Sequence, residues 1–141
     1  MKKYKKFIKR GIIQPLEKIP FHGKAPLKRI LLQDYNTFPD IKNILPGSNY
    51  HIAAHLITKL PKKIQPYAFP HAHNCDEINL LLSESKIVYR IKMGDEEYIV
   101  SSPATVYIPR GVIHSAEVIK GKGVFIVIIM SKTYKSSLLK K

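Results

Sequence analysis

An antiparallel all-β domain is predicted by three features of the sequence. From Tyr50 onward, short runs rich in β-branched and aromatic residues follow one another at close spacing. Turn chemistry separates them, and no stretch carries a sustained 3.6-residue apolar period. Closely spaced strands without intervening amphipathic helices pack as a sandwich or a barrel. A chain of 141 residues suits one hydrophobic core.

Residues 1–47 read as a basic, proline-rich arm. Pro15, Pro20, Pro26, Pro39 and Pro46 interrupt any long helix there, leaving short pieces at 26–35 (a strand or one helical turn) and at 40–45. The arm is expected to pack on a barrel formed by residues 48–131, with 132–141 as a basic tail. Within the barrel, strands are predicted at 50–58 (YHIAAHLIT), 77–82 (EINLLL), 86–92 (KIVYRIK), 96–100 (EEYIV), 104–108 (ATVYI) and 123–130 (GVFIVIIM). The intervening turns are Pro-Lys-Lys at 61–63, Ser-Glu-Ser at 83–85, Met-Gly-Asp at 93–95, Ser-Ser-Pro at 101–103, Pro-Arg-Gly at 109–111 and Gly-Lys-Gly at 121–123. Side chains alternate across a strand, so Ile87, Tyr89 and Ile91 share the inner face while Arg90 points to water. Residues 78–82 and 124–130 are apolar on both faces. Either the arm or a second copy of the chain must cover their outer side, and a homodimer is expected.

The net charge of +14 raises nucleic acid or an anionic membrane as partners. The excess lies at the two ends, outside the strand-forming region, so a solvated arm and tail are the favoured reading. No apolar run is long enough for a membrane helix, and Pro15 interrupts the N-terminus before a signal-type apolar segment forms; a cytoplasmic protein is expected. The single cysteine, Cys75, excludes an intrachain disulfide, a cysteine-based zinc cage and a two-cysteine redox motif. A metal would have to use histidine, carboxylate or water.

Such donors occur in a tight pattern. His71 and His73, two residues apart on a strand, project from one face, and Glu77 follows after a three-residue bend. Pro109 and Gly111 then end a strand and re-aim the chain, which brings in His114 from a neighbouring strand. Three nitrogens and one oxygen converge. In a chain of this composition each motif has only about one chance in fifty to a hundred of arising at random.

These residues resemble the two signatures of the cupin superfamily, a His-x-His…Glu stretch and a Pro-x-Gly-x-x-His stretch, over roughly residues 50–130. All six positions match: His71, His73, Glu77, Pro109, Gly111 and His114. The outer glycines differ, with Gln65, Glu84 and Pro103 in their places, and Val118 stands where asparagine often closes the second signature. The resemblance is to small single-domain metal-binding cupins. It implies a jelly-roll β-barrel holding one divalent transition metal (Fe, Mn, Ni, Co or Zn) in a cup that takes a small-molecule ligand.

An open six-coordinate ion can polarise an oxygen, acidify water or bind O₂. The expected function is therefore an enzyme acting on a small polar molecule (an oxygenase, an isomerase or epimerase, or a lyase) or else a non-catalytic metal-dependent binding or sensing module. Tyr89 and Tyr107, read as inward-facing, are the candidate proton-transfer residues. His51 and His55 flank the small Ala53 on one strand face, and Asn79 shares the face of Glu77. All three are candidates for the ligand pocket.

Overall fold

The computed structural model describes residues 2–38 and 49–139. Among these residues nine strands form two antiparallel sheets: β1 (Ile12–Gln14), β2 (Lys28–Gln33), β3 (His51–Ile57), β4 (Glu77–Leu82), β5 (Ile87–Met93), β6 (Glu96–Ser101), β7 (Ala104–Ile108), β8 (His114–Gly121) and β9 (Gly123–Ile129). The larger sheet has the order β1-β2-β3-β9-β4-β7 and the smaller β6-β5-β8. The architecture is the all-β jelly-roll layout expected of the sequence. The expected piece at 40–45 lies outside the described residues.

Alternation sets the core. Leu81, Val106, Ile108, Phe125, Val127 and Ile129 of the larger sheet meet Ile87, Tyr89, Ile91 and Val118 of the smaller one, all of them buried. Each large aliphatic side chain so buried contributes about 1.5–3 kcal/mol. At the end of β8 the turn into β9 requires glycine. Gly121 has φ +87, and a Cβ there would lie 2.0 Å from the carbonyl oxygen of Lys86.

The arm enters the larger sheet. β2 pairs with β3 from Lys28↔Leu56 onward, and β1 pairs with β2. The pattern KRILLQ turns Arg29 and Leu31 inward, and both are buried. The tail carries one helical turn, Tyr134–Ser137, whose start is capped by Thr133 accepting from the Ser136 amide. No helix among the described residues is long and apolar enough to cross a membrane.

Candidate metal centre

His71 and His73 lie on an extended segment held by isolated bridges rather than in a regular strand. The backbone of His71 exchanges both hydrogen bonds with that of His114, at 3.1 and 2.8 Å, which places the two residues opposite each other. Gly111, at φ +83, donates its amide to the His73 carbonyl at 2.9 Å. The Pro109–Gly111 turn therefore clamps the His-x-His segment beside the first residue of β8. Glu77 opens β4, between Ile108 of β7 and Ile129 of β9.

The three rings converge. His71, His73 and His114 each offer a ring nitrogen within 4.8 Å of the others. Nδ1 of His71 bonds the Phe69 carbonyl (2.9 Å) and Nδ1 of His114 the Val112 carbonyl (3.0 Å). A carbonyl only accepts, so both rings carry the proton on Nδ1. Nδ1 of His73 bonds Ser137 Oγ at 2.7 Å, and that hydroxyl donates to the Tyr134 carbonyl at 2.6 Å, so this ring too donates from Nδ1. All three Nε2 lone pairs are thereby turned toward a common point, the tautomer that a metal requires.

Glu77 completes the donor set. Its Oε2 accepts from the Asn79 amide at 2.7 Å, and its Oε1 lies 3.2 Å from both His73 Nε2 and His114 Nε2. Neither His73 Nε2 nor Glu77 Oε1 has a hydrogen bond of proper geometry, although both are fully buried. Unpartnered buried acceptors facing one another are costly unless something positive sits between them. The residues fit a divalent ion. Burial opposes the charge on Glu77, but in the metal-free protein a proton on the facing His114 and His73 rings holds its carboxyl well below the usual range.

No protein-family profile and no curated protein matches the chain. Solved structures do. An RmlC-like cupin from Shewanella frigidimarina is 14% identical over 89% of this chain and 87% of its own, with a TM-score of 0.56. KdgF from Halomonas sp. is 12% identical, with 88% and 89% covered and a TM-score of 0.58. The chain has the cupin fold. A Bacillus subtilis oxalate decarboxylase variant shares it at 14% identity and a TM-score of 0.54, this chain matching 33% of that one. At 12–14% identity these likenesses show the fold alone.

The other residues singled out by sequence fall in different places. Tyr107 was expected to face inward; it is 55% exposed. Val106 and Ile108 take the inner positions of β7, so Tyr107 belongs to the outer face and is not a catalytic candidate. Tyr89 does face inward, stacked on Phe125 at 4.2 Å, but it is not among the residues lining the cavity at the histidines. Asn79 is engaged with Glu77 and does not line that cavity either. His55 lines it, whereas His51 lies behind, joining Asp34 (2.8 Å) to Arg29 (2.8 Å).

Three polar cavity residues were missed by sequence reasoning: His22 and Arg29 from the arm, and Tyr134 from the tail. The Tyr134 hydroxyl lies 3.2 Å from both His71 Nε2 and the Pro20 carbonyl. Phe21, which has a left-handed backbone (φ 65), stacks on the outer side of the His71 ring at 5.2 Å. His71 also borders a wider apolar recess of about 680 Å³ lined by Phe21, Pro70, Ile113 and Leu138.

Burial dominates the titration of these histidines. It pushes His22 and His71 down to about 4 from an ordinary 6.5, and His55 well below 6.5. The unfolded chain therefore takes up protons that the folded chain refuses, and the stability held above pH 6.5 is lost as pH falls toward 4. His114 opposes this. Burial would lower it, but the Glu77 carboxylate raises it, so its contribution is present at low pH and lost as pH rises through its folded value. With the lowered groups in the majority, the metal-free protein is expected to melt at progressively lower temperature between pH 6.5 and 4. Each lowered histidine contributes about 1.4 kcal/mol per pH unit. A melting temperature flat across that range contradicts the burial argument.

Proposed function

We propose that this cupin is a metal-dependent enzyme acting on a small polar molecule. His71, His73, His114 and Glu77 would hold the ion. The observation that carries the reading is the set of three Nε2 lone pairs turned to one point by Nδ1 bonds to Phe69, Ser137 and Val112. When bound, a divalent ion at that point supplies Lewis-acid polarisation of a carbonyl or hydroxyl oxygen.

The protein's own residues supply the remaining functions. His22 donates from Nδ1 to the Pro20 carbonyl at 2.8 Å, which leaves Nε2 as its basic nitrogen inside the cup, and burial keeps the ring neutral at physiological pH. A neutral imidazole beside a bound ligand is free to take a proton from a group that the ion has acidified. This favours the enzyme over a purely binding or sensing module, and within the enzymes it favours proton-transfer reactions, an isomerase or lyase, over an oxygenase. Phe125, Val127 and Ile129 wall the cavity and limit water. The test is a screen of hydroxy and keto compounds against the protein loaded in turn with Mn, Fe, Co, Ni and Zn. Turnover lost in His22→Gln with metal content unchanged supports the reading. Ligand binding without turnover under every metal favours the binding module.

We also propose that the chain is a homodimer. The outer face of the larger sheet aligns Ile52, Ile128 and Ile78 in one row and Leu56, Val124 and Leu82 in another. Burying these rows against a second copy would give the isologous contact common in homo-oligomers. Light scattering at micromolar concentration is expected to give twice the chain mass. A monomer would refute the proposal.

A further inference from the structure

The side chain that the metal reading leaves unexplained is Arg29. It is 2% exposed, lies in the arm strand β2, and lines the same cavity as His71, Glu77 and His114. A buried cation is costly unless it is paired, yet among the described residues Arg29 forms no ion pair with a carboxylate. Its bonds go to neutral groups. Nε donates to Gln14 Oε1 at 3.4 Å, one terminal nitrogen bonds His55 Nε2 at 3.0 Å, and the other bonds His51 Nε2 at 2.8 Å.

Those bonds fix its position. Nδ1 of His51 is held by Asp34 Oδ2, so His51 donates there and its Nε2 accepts from Arg29. The chain Asp34–His51–Arg29–His55 is a rigid mount for the guanidinium beside the cup, and Tyr134 stacks on it at 5.9 Å. A guanidinium has five N–H groups. Three are engaged here, which leaves one donor on each terminal nitrogen, and a guanidinium with spare N–H groups recognises a carboxylate. Charge points the same way. Against Glu77 and Asp34 stand Arg29 and a divalent ion, so a loaded cup with neutral histidines keeps an excess positive charge that a monoanion would cancel.

We propose that Arg29 is the anion seat of the cup and that the physiological ligand is a small carboxylate whose carboxylate group the guanidinium binds. This deepens the metal-dependent reading and rests on it for the charge balance and for where the rest of the ligand goes; the buried guanidinium without a carboxylate partner stands apart from it. Burial pushes the guanidinium down to about 10, and it remains charged at neutral pH. The cavity is small, about 30 Å³, so acetate and formate are the appropriate probes, with acetamide and formamide as uncharged counterparts of the same shape.

The test measures metal content and ligand affinity on the same samples. The metal-loaded protein is expected to bind acetate more tightly than acetamide. Arg29→Gln is expected to lose about ten-fold or more in acetate affinity, the size of a charged hydrogen-bonded pair, while acetamide affinity and metal content stay unchanged. Equal acetate affinity in Arg29→Gln and parent overturns the proposal. Where that variant fails to fold, the ¹⁵N resonances of the Arg29 side chain in the unaltered protein are followed during acetate addition. A saturable shift supports the seat, and no shift overturns it. A chain that holds no metal yet shows the shift would sink the metal reading and keep this one.

Discussion

His73→Ala is expected to strip the metal from the protein while leaving the fold in place. His73 is 2% exposed, and its Nε2 is an unpartnered acceptor 3.2 Å from Glu77 Oε1. Removing the ring takes away one of the four donors and leaves the Glu77 carboxylate less well placed. Loss of groups that merely orient a metal ligand already costs about 10–100-fold in affinity, so loss of a ligand should exceed about 100-fold. The core of the sandwich does not depend on that ring, since Leu81, Phe125, Ile129, Ile87 and Tyr89 pack without it. Elemental analysis after gel filtration should find stoichiometric metal in the parent and none in the variant, with similar circular dichroism. His114→Ala should behave alike. Equal metal in variant and parent would remove these residues from the donor set.

The second large effect concerns the arm. Deleting residues 1–10 should leave melting temperature and metal content nearly unchanged, because Tyr4, Phe7 and Ile8 are exposed and, among the described residues, no strand begins before Ile12. Deleting residues 1–32 should cause aggregation. That cut removes β1, most of β2, and the buried Leu16 and Leu31, each worth about 1.5–3 kcal/mol. It bares the edge of β3, an apolar strand whose free N–H and C=O groups invite pairing with other chains. It also takes His22 and Arg29 out of the cup and leaves His51 and His55 without their donor. Soluble material and an intact melting transition after the long deletion would show that the arm is an accessory to the sheet. Loss of metal after the short one would mean that the first ten residues reach the cup.

Much of this architecture was legible because it rests on local chemistry. The predicted strands at 77–82 and 104–108 coincide with β4 and β7, since short apolar runs bounded by Asp76 and Ser83 and by Pro103 and Pro109 leave little choice of element. The metal donors were legible for a similar reason: an ion demands particular residue types at short spacing, and Gly111 turns the chain where one was needed. β8 was missed as a strand because HSAEVIKG carries only weak alternation and its burial follows from pairing with β5. Tyr107 was assigned to the wrong face because ATVYI is apolar at nearly every position, and register alone decides which side is buried.

The cavity wall was the least legible part. Arg29, His22 and Tyr134 come from an arm and a tail whose composition reads as solvated charge. Long-range contacts bring them in: the Tyr134 amide donates to Asp34 Oδ2 across 100 residues. Nothing local to KRILLQ marks Arg29 as inward except that it shares parity with Leu31. A cation is ordinarily assigned to solvent, and here three hydrogen-bonding partners, two of them histidines, outweigh that preference.

Four side chains forming one metal cage would show in anomalous diffraction from crystals of the metal-loaded protein. One anomalous peak per chain is expected between Nε2 of His71, His73 and His114 and Oε1 of Glu77, about 2.0–2.2 Å from each. A peak elsewhere, or no peak from protein shown by elemental analysis to carry metal, would rule the cage out.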